Sequence, residues 1–308
     1  MTIALDSLII AASILGLGWG AVWLVESAAR IAKRLGLSEL VIGLTVVAIG
    51  TSAPEFAVTV GAALKGQADI AVGNVVGSNI FNLGFILGGV ALVRAIATSR
   101  TLVVRDGGVL IGATLLLVLF LRDLTLARWE GLILMILLVA YIGFLIHRRE
   151  PLEEELSTGE FHWYEIVRLL AGLGLVVVGG HFLVEAASGL ARSFGVSEWV
   201  IGVTIVAAGT SAPELATSLV AVIRGRHGIS AGNLIGSDIF NLLGVLGLAA
   251  ALRPLTVDAS AYGSLWLLAA MVVLVVVFLM RTGWRISRWE GALLIVINLI
   301  RWIADFAR

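Results

Sequence analysis

Long apolar runs, each broken by a short polar stretch, repeat from one end of the chain to the other. A helix needs roughly 20 apolar residues to cross the hydrocarbon of a bilayer. On that measure the pattern predicts ten spans, starting near Leu5, Leu40, Ile70, Gly107, Glu130, Ile166, Val200, Ser230, Ser260 and Glu290. The first run has no basic segment before it and no small-residue cleavage site before the second span. It therefore reads as a transmembrane helix and not as a removed signal peptide. The longest polar break runs from His147 to Tyr164 and carries Pro151, Glu153, Glu154 and Glu155. It divides the chain into residues 1–147 and 164–308, joined by an acidic link over 148–163 that is too short to be a domain.

Composition supports this reading and narrows the classes. The chain is 59% hydrophobic and 14% charged over 308 residues, with a mean hydropathy of +1.05. A soluble domain is about 45–50% apolar and about 25% charged, so the expected fold is an all-α polytopic membrane protein with the lipid bilayer as its first partner. Lys plus Arg and Asp plus Glu both number 21, and that balance offers nothing to nucleic acid. With no cysteine there is neither disulfide nor thiolate chemistry. Of the 21 basic residues, 14 follow the odd-numbered spans, among them Arg30, Arg94, Arg105, Arg168, Arg224, Arg226 and Arg285. The positive-inside rule then puts both termini outside a plasma membrane and the acidic link in the cytoplasm.

Shifted by 159 positions, the sequence matches itself. Residues 41–90 align without a gap on 200–249, with 26 of the 50 positions identical. Glu26 falls on Glu185, Gly36 on Gly195, Ser38 on Ser197 and Glu39 on Glu198. Downstream, Arg128-Trp129-Glu130-Gly131 recurs as Arg288-Trp289-Glu290-Gly291 with one residue of slippage. Polar residues match best, which chance similarity among apolar helices does not produce. Five spans per half is an odd number, so the two halves run in opposite senses. That predicts ten transmembrane helices as two inverted five-helix repeats, an arrangement whose substrate sites lie at the repeat interface near the midplane.

The densest identity is Gly50-Thr51-Ser52-Ala53-Pro54-Glu55 against Gly209-Thr210-Ser211-Ala212-Pro213-Glu214, each deep inside an apolar run. A carboxylate at that depth costs several kcal/mol on insertion scales and normally marks function. No Lys or Arg lies at a similar depth to pair with it. Thr51 and Glu55 are four apart and are expected on one helix face. Pro54 and Pro213 are two of the four prolines in the chain. Each removes an amide donor and frees the carbonyl four residues earlier. Such unwinding is tolerated in a membrane where it lines a cavity. Carboxylates, hydroxyls and freed carbonyls form an all-oxygen set that suits Ca²⁺ or Na⁺ rather than zinc or copper. A second motif, Gly73-Asn74-Val75-Val76-Gly77-Ser78-Asn79-Ile80-Phe81-Asn82, returns as Gly232-Asn233-Leu234-Ile235-Gly236-Ser237-Asp238-Ile239-Phe240-Asn241. Asn74, Ser78 and Asn82 make a polar stripe at intervals of four; the glycines read equally well as simple packing residues.

These paired motifs resemble the alpha repeats of the cation/Ca²⁺ antiporter superfamily, and the ten-span layout resembles its prokaryotic Na⁺/Ca²⁺ exchangers. The resemblance covers essentially the whole chain. It implies that the second, third, seventh and eighth helices enclose four cation sites. It also implies that Glu55 and Glu214 are the central Ca²⁺ ligands, and that Thr51, Ser52, Thr210 and Ser211 supply oxygens mainly to Na⁺. Ser78 and Ser237 would complete the outer and inner Na⁺ sites, joined by the carbonyls of Ala48 and Ala207. Asn82 and Asn241 would take the last ligand position of each repeat. The transported ions are then Ca²⁺ and Na⁺, with no cofactor. K⁺-dependent members carry Asp where this chain has Asn241, which argues for K⁺-independent exchange. Asp238, opposite Asn79 in the first repeat, either restores a third negative charge at the site or caps a solvated helix end.

The first and sixth helices would slide over this core, and their glycines Gly16, Gly18, Gly20, Gly172, Gly174, Gly179 and Gly180 fit a sliding surface as well as plain packing. An H⁺/Ca²⁺ exchanger is the nearest alternative, since some superfamily members use protons; the repeated Thr-Ser pairs and serines favour Na⁺. A Ca²⁺-permeable channel is more remote. An enzyme is not expected: His147, His162, His181 and His227 stand in no repeated constellation with a nucleophile, and His181 reads as an interior or interfacial residue.

Overall fold

The computed structural model describes residues 3–148, 161–196, 201, 205, 207–259 and 261–306. Helix α1 (Ile3–Leu35) is followed by α2 (Glu39–Thr51) and α3 (Ala53–Leu64), which form one span bent by 51°. Then come α4 (Ala68–Val93), α5 (Leu102–Asp123) and α6 (Arg128–Arg148). The second half holds α7 (Tyr164–Ser193), α8 (Ala207–Thr210), α9 (Ala212–Ile223), α10 (His227–Leu252), α11 (Ala261–Arg281) and α12 (Arg288–Phe306). Among the described residues, seven helices are long and apolar enough to cross a membrane by themselves, and the α2–α3 pair makes an eighth. The seventh expected span begins in residues that lie partly outside the described set. The tenth is the 19-residue α12, whose charged residues keep it from qualifying on apolarity alone.

The bend in the second span sits where Pro54 was expected to interrupt the helix. Ser52 joins the two pieces at φ −79°, ψ 12°, and Pro54 falls in the first turn of α3, where a missing amide costs nothing. Two other irregularities fall on repeated polar residues. A π-helical turn opens at Asn82 (Asn82–Ile86) within α4 and another at Asn241 (Asn241–Val245) within α10. One extra residue per turn rotates the remainder of the helix and breaks the i→i−4 ladder, a feature that gathers at functional sites.

Contacts recur in pairs related by the same sequence shift. Short strands β1 (Ile96–Ala97), β2 (Thr125–Leu126), β3 (Leu255–Thr256) and β4 (Arg285–Ile286) pair antiparallel as β1–β4 and β2–β3. Ile96 sits opposite Ile286, and their counterparts Leu255 and Leu126 sit opposite each other. The left-handed residues Leu124 (φ 65°) and Trp284 (φ 62°), just ahead of β2 and β4, are likewise equivalent. Gly88 of α4 lies against the backbone of Gly291 in α12, and the equivalent Gly247 of α10 against Gly131 in α6. Backbones can approach this closely only where no Cβ intervenes.

The core is built around α4 and α10, with large apolar residues such as Leu83, Ile86, Leu117, Leu134 and Leu242 fully buried. Helices α1 and α7 lie against each other on one side and cross where Gly20 meets Gly172; a Cβ on Gly172 would sit 2.7 Å from the Gly20 carbonyl oxygen. Of the other glycines expected on this surface, Gly179 and Gly180 are also closely packed, whereas Gly16, Gly18 and Gly174 face open space. The outer faces carry exposed Leu8, Trp19, Val139, Trp266, Trp289 and Ile303, as expected of helices facing lipid with tryptophans at its borders. His181 is not interior: its ring is 74% exposed on α7, 3.9 Å from Glu185.

Candidate functional site

The α2–α3 break and the matching α8–α9 break face each other across the bundle, each against the middle of α4 and α10. Glu55 lies in the first turn of α3 and Glu214 in the first turn of α9, and both are completely buried. Their partners are exchanged between the halves. Ser52 Oγ donates to Glu214 Oε1 at 3.0 Å, and Ser211 Oγ donates to Glu55 Oε1 at 3.0 Å. The Thr51 hydroxyl lies beside Glu214 and the Thr210 hydroxyl beside Glu55. Thr51 and Glu55, four apart, both take partners from the opposite half. Thr51 Oγ1 is 3.0 Å from Asn233 Oδ1.

Ser237 gathers several of these groups. Its Oγ lies 3.4 Å from each of Glu214 Oε1, Thr51 Oγ1 and the Ala48 carbonyl oxygen. The Ala48 carbonyl also accepts from Ser52 N at 3.1 Å and lies 3.3 Å from Thr51 Oγ1. Ser78, the counterpart of Ser237, is buried on α4 yet makes none of these bonds among the described residues. A Cβ on Gly236 would sit 2.7 Å from Leu44 Cα, so α10 presses directly on α2; at the equivalent Gly77 a Cβ meets nothing within 4 Å among the described residues, and Val203, the counterpart of Leu44, lies outside them. Ala207, the first residue of α8, starts the segment equivalent to Ala48.

Asp238 is fully buried, so a solvated cap does not describe it. Asn82 Nδ2 donates to Asp238 Oδ1 at 3.0 Å, Asn79 Nδ2 to the Asp238 carbonyl at 3.0 Å, and Asn241 Nδ2 to Asn79 Oδ1 at 3.2 Å. This amide chain stitches α4 to α10 beside the glutamates. Five buried oxygens of these residues have no hydrogen-bond partner among the described residues: Glu55 Oε2, Glu214 Oε2, Asn82 Oδ1, Asp238 Oδ2 and Asn241 Oδ1. Unpartnered buried polar atoms cost about 1–3 kcal/mol each, and a chain keeps such a set where something else satisfies it. Among the described residues no ion pair reaches either glutamate. The donor set is entirely oxygen, which selects hard cations.

Two contributors fall outside the set expected from the motifs. Asn74 Nδ2 donates to Thr59 Oγ1 at 2.9 Å and lies 3.3 Å from the Glu55 carbonyl. Asn233 Nδ2 does the same for Ser218 Oγ at 2.9 Å and the Glu214 carbonyl at 3.4 Å. These amides hold the backbone that carries each glutamate. The signal was in the sequence: both motifs contain the Gly-Asn pair, and both helices carry a hydroxyl four residues after the glutamate.

Known proteins agree with this arrangement. The Sodium/calcium exchanger protein family matches residues 6–147 and 164–300, leaving out the acidic link. The putative antiporter CaxA of Alkalimonas amylolytica is 40% identical, covering 90% of this chain and 91% of its own. The sodium/calcium exchanger MaX1 of Methanosarcina acetivorans is 33% identical, covering 96% of both chains. A structure of the sodium–calcium exchanger NCX_Mj, soaked with zero Na⁺ and Ca²⁺, superposes with a TM-score of 0.87 at 30% identity, over 99% of this chain and 100% of that one. That family consists of exchangers and not of catalysts, and this chain is a member of the sodium/calcium exchanger protein family.

Proposed function

We propose that this protein exchanges Na⁺ for Ca²⁺ across the plasma membrane by alternating access, without K⁺. Its frame is ten spans in two inverted five-helix halves, residues 1–147 and 164–308, with the 148–163 link in the cytoplasm and both termini extracellular. The carrying observation is the pair Glu55 and Glu214. Each is fully buried, each is held by the serine of the opposite half, and each keeps one carboxylate oxygen without a partner among the described residues. The reciprocal strand and glycine contacts support an inverted frame.

Buried carboxylates without a basic partner explain obligatory exchange. Two like charges in a low-dielectric interior repel each other and are costly to enclose. One Ca²⁺, or several Na⁺, relieves that cost, so the loaded site can be closed and carried across, whereas the empty one resists closure. Glu55 and Glu214 bind Ca²⁺ in this scheme. Thr51, Ser52, Thr210, Ser211, Ser78 and Ser237, with the carbonyls of Ala48 and Ala207, serve Na⁺. A hydroxyl suits the role because it rotates: it donates to a glutamate in one state and turns its lone pairs to a cation in the other. Asn82, Asn241 and Asp238 extend the oxygen set between α4 and α10.

The test is ⁴⁵Ca²⁺ uptake into proteoliposomes under an outward Na⁺ gradient, and separately under a pH gradient. Na⁺-driven uptake that disappears in Glu55→Gln is the expected outcome. Uptake driven by the pH gradient alone overturns Na⁺ coupling and leaves the hydroxyls as packing groups. Flux that never saturates points to a channel.

A further inference from the structure

The two π-helical turns are backed by equivalent helices, α12 behind the turn of α4 and α6 behind that of α10. The reciprocal contacts of Gly88 with Gly291 and of Gly247 with Gly131 fix the correspondence. It sets Asn298 of α12 against Leu138 of α6. The α10 turn meets a hydrocarbon side chain there: Leu138 comes within 2.8 Å of where a Cβ on Gly244 would stand, next to the buried Leu243. On α4 the counterpart of Leu243 is Gly84, and the Asn298 amide fills the place of the missing side chain. A Cβ on Gly84 would overlap that amide, since even Oδ1, the farthest of its three atoms, would lie 2.8 Å away.

Asn298 lies midway along α12, and polar residues inside membrane helices are costly and normally functional. It is 1% exposed. Its Nδ2 donates to the Leu294 carbonyl at 3.3 Å, one turn back on the same helix, and its Oδ1 has no partner among the described residues. One amide hydrogen and Oδ1 thus remain for the backbone beneath them. One turn further along α12, Trp302 stacks on Phe81 with ring centres 6.2 Å apart and lies 4.9 Å from Phe85. These rings bracket Asn82 and Gly84. Phe85 and Trp302 correspond to Gly244 and Ile142, so the α10 turn lacks this grip.

What the α4 turn aims is Asn82. The Asn82 carbonyl accepts from Leu87 N, five residues on, and its Nδ2 donates to Asp238 Oδ1 at 3.0 Å. A helix rotates by about 100° per residue. Closing the turn to α geometry, or moving it by one residue, would swing Asn82 away from Asp238 by about that angle. A π-helical turn breaks the regular ladder, so its place in the helix depends on what packs against it.

We propose that Asn298 is a positioning residue for the ion site: its amide, seated on the bare backbone at Gly84, holds the π-helical turn of α4 in place and keeps Asn82 aimed at Asp238. This inference rests on the part in ion binding proposed above for Asn82. No hydrogen bond joins Asn298 to Glu55, Glu214 or Asp238 among the described residues; it acts through the turn. Ion affinity then depends on a residue of the last helix, outside both repeated motifs.

The test is Ca²⁺ binding by the purified full-length chain, measured by calorimetry without Na⁺ and beside a thermal melt. Asn298→Leu keeps the bulk, removes the amide and copies Leu138. It is expected to weaken Ca²⁺ binding about tenfold, as loss of a ligand-orienting group does. Its melting temperature is expected to stay level or rise, because an incompletely bonded buried amide has gone. Gly84→Ala pushes the amide off its seat and is expected to weaken binding alike. The double variant is expected to bind within about twofold of the weaker single, since both changes break one contact. Binding by Asn298→Leu within about twofold of the parent overturns the proposal. So does a loss of binding that comes with a lower melting temperature, which reports a loosened fold, and so does a double variant whose loss is the product of the two. Should Gly84→Ala fail to fold, Asn298→Leu decides alone. Na⁺-driven ⁴⁵Ca²⁺ uptake by the parent separates the two claims. A parent that binds Ca²⁺ without exchanging it for Na⁺ sinks the exchanger reading and leaves this test standing; a parent that binds no Ca²⁺ sinks both.

Discussion

Asp238 shows how one residue is defined by what faces it. The motif offered two fates, a charge at the site or a solvated helix end. Burial and the bonds from Asn82 and Asn79 place it between the halves. Its carboxylate receives one side-chain donor and no cationic side chain among the described residues, and its Oδ2 has no partner there. Asp238→Asn keeps the shape and removes the charge. Na⁺-driven uptake is expected to fall by about tenfold or more while the melting temperature stays near that of the parent, because an isosteric amide still offers Oδ1 to Asn82. Uptake within about twofold of the parent would make Asp238 a packing residue. Asn233 works on a smaller scale: Asn233→Ala removes a buried bond to Ser218 and is expected to cost about 1 kcal/mol of stability in a denaturation curve.

Helices in this protein are informative where they are irregular. The break at Ser52 and the π-helical turns at Asn82 and Asn241 present side chains that a straight helix would send elsewhere. Close glycine contacts set how helices meet. Gly236→Ala places a methyl 2.7 Å from the backbone of Leu44, which cannot yield as a flexible side chain would. A loss of about 1–3 kcal/mol is expected for it. Gly77→Ala has space for the methyl and gains helix propensity, so it is expected to be neutral or stabilising by up to about 1 kcal/mol. Thermal melts of the two variants check this pair. Equal losses would mean that the equivalent surfaces are packed alike.

For the whole molecule, the weight falls on charge balance. Lys plus Arg equals Asp plus Glu, yet the glutamates at the centre stand apart from every ion pair among the described residues. The basic groups pair elsewhere, Arg226 with Glu39 and Arg30 with Glu165. In the proposed site Asn241 stands in place of a carboxylate, which would leave no fixed charge there for K⁺ to balance. Replacing choline with K⁺ on either face, at constant membrane voltage, is therefore expected to leave Na⁺-driven Ca²⁺ uptake unchanged. A requirement for K⁺ would overturn the K⁺-independent reading.

The helical class and the polar residues that the structure gathers around Glu55 and Glu214 were readable from the chain, because hydrophobic periodicity and intramembrane polar residues are local properties with large free-energy consequences. Duplication made the signal stronger: each of Glu55, Ser52 and Asn82 appears with a partner 159 positions on. Pro54 announced the break in the second span for the same local reason. Partnership was not readable. Four-residue spacing put Thr51 with Glu55 but gave no sign that both would meet the opposite half, Thr51 at Asn233 and Glu55 at Ser211. Identical motifs implied equal roles for Ser78 and Ser237, yet only Ser237 is pressed into the shared cluster among the described residues. The repeat shares 26 of 50 positions over 41–90 and 200–249, and only packing decides which partner each repeated residue meets, because those partners lie more than 150 residues away in the chain.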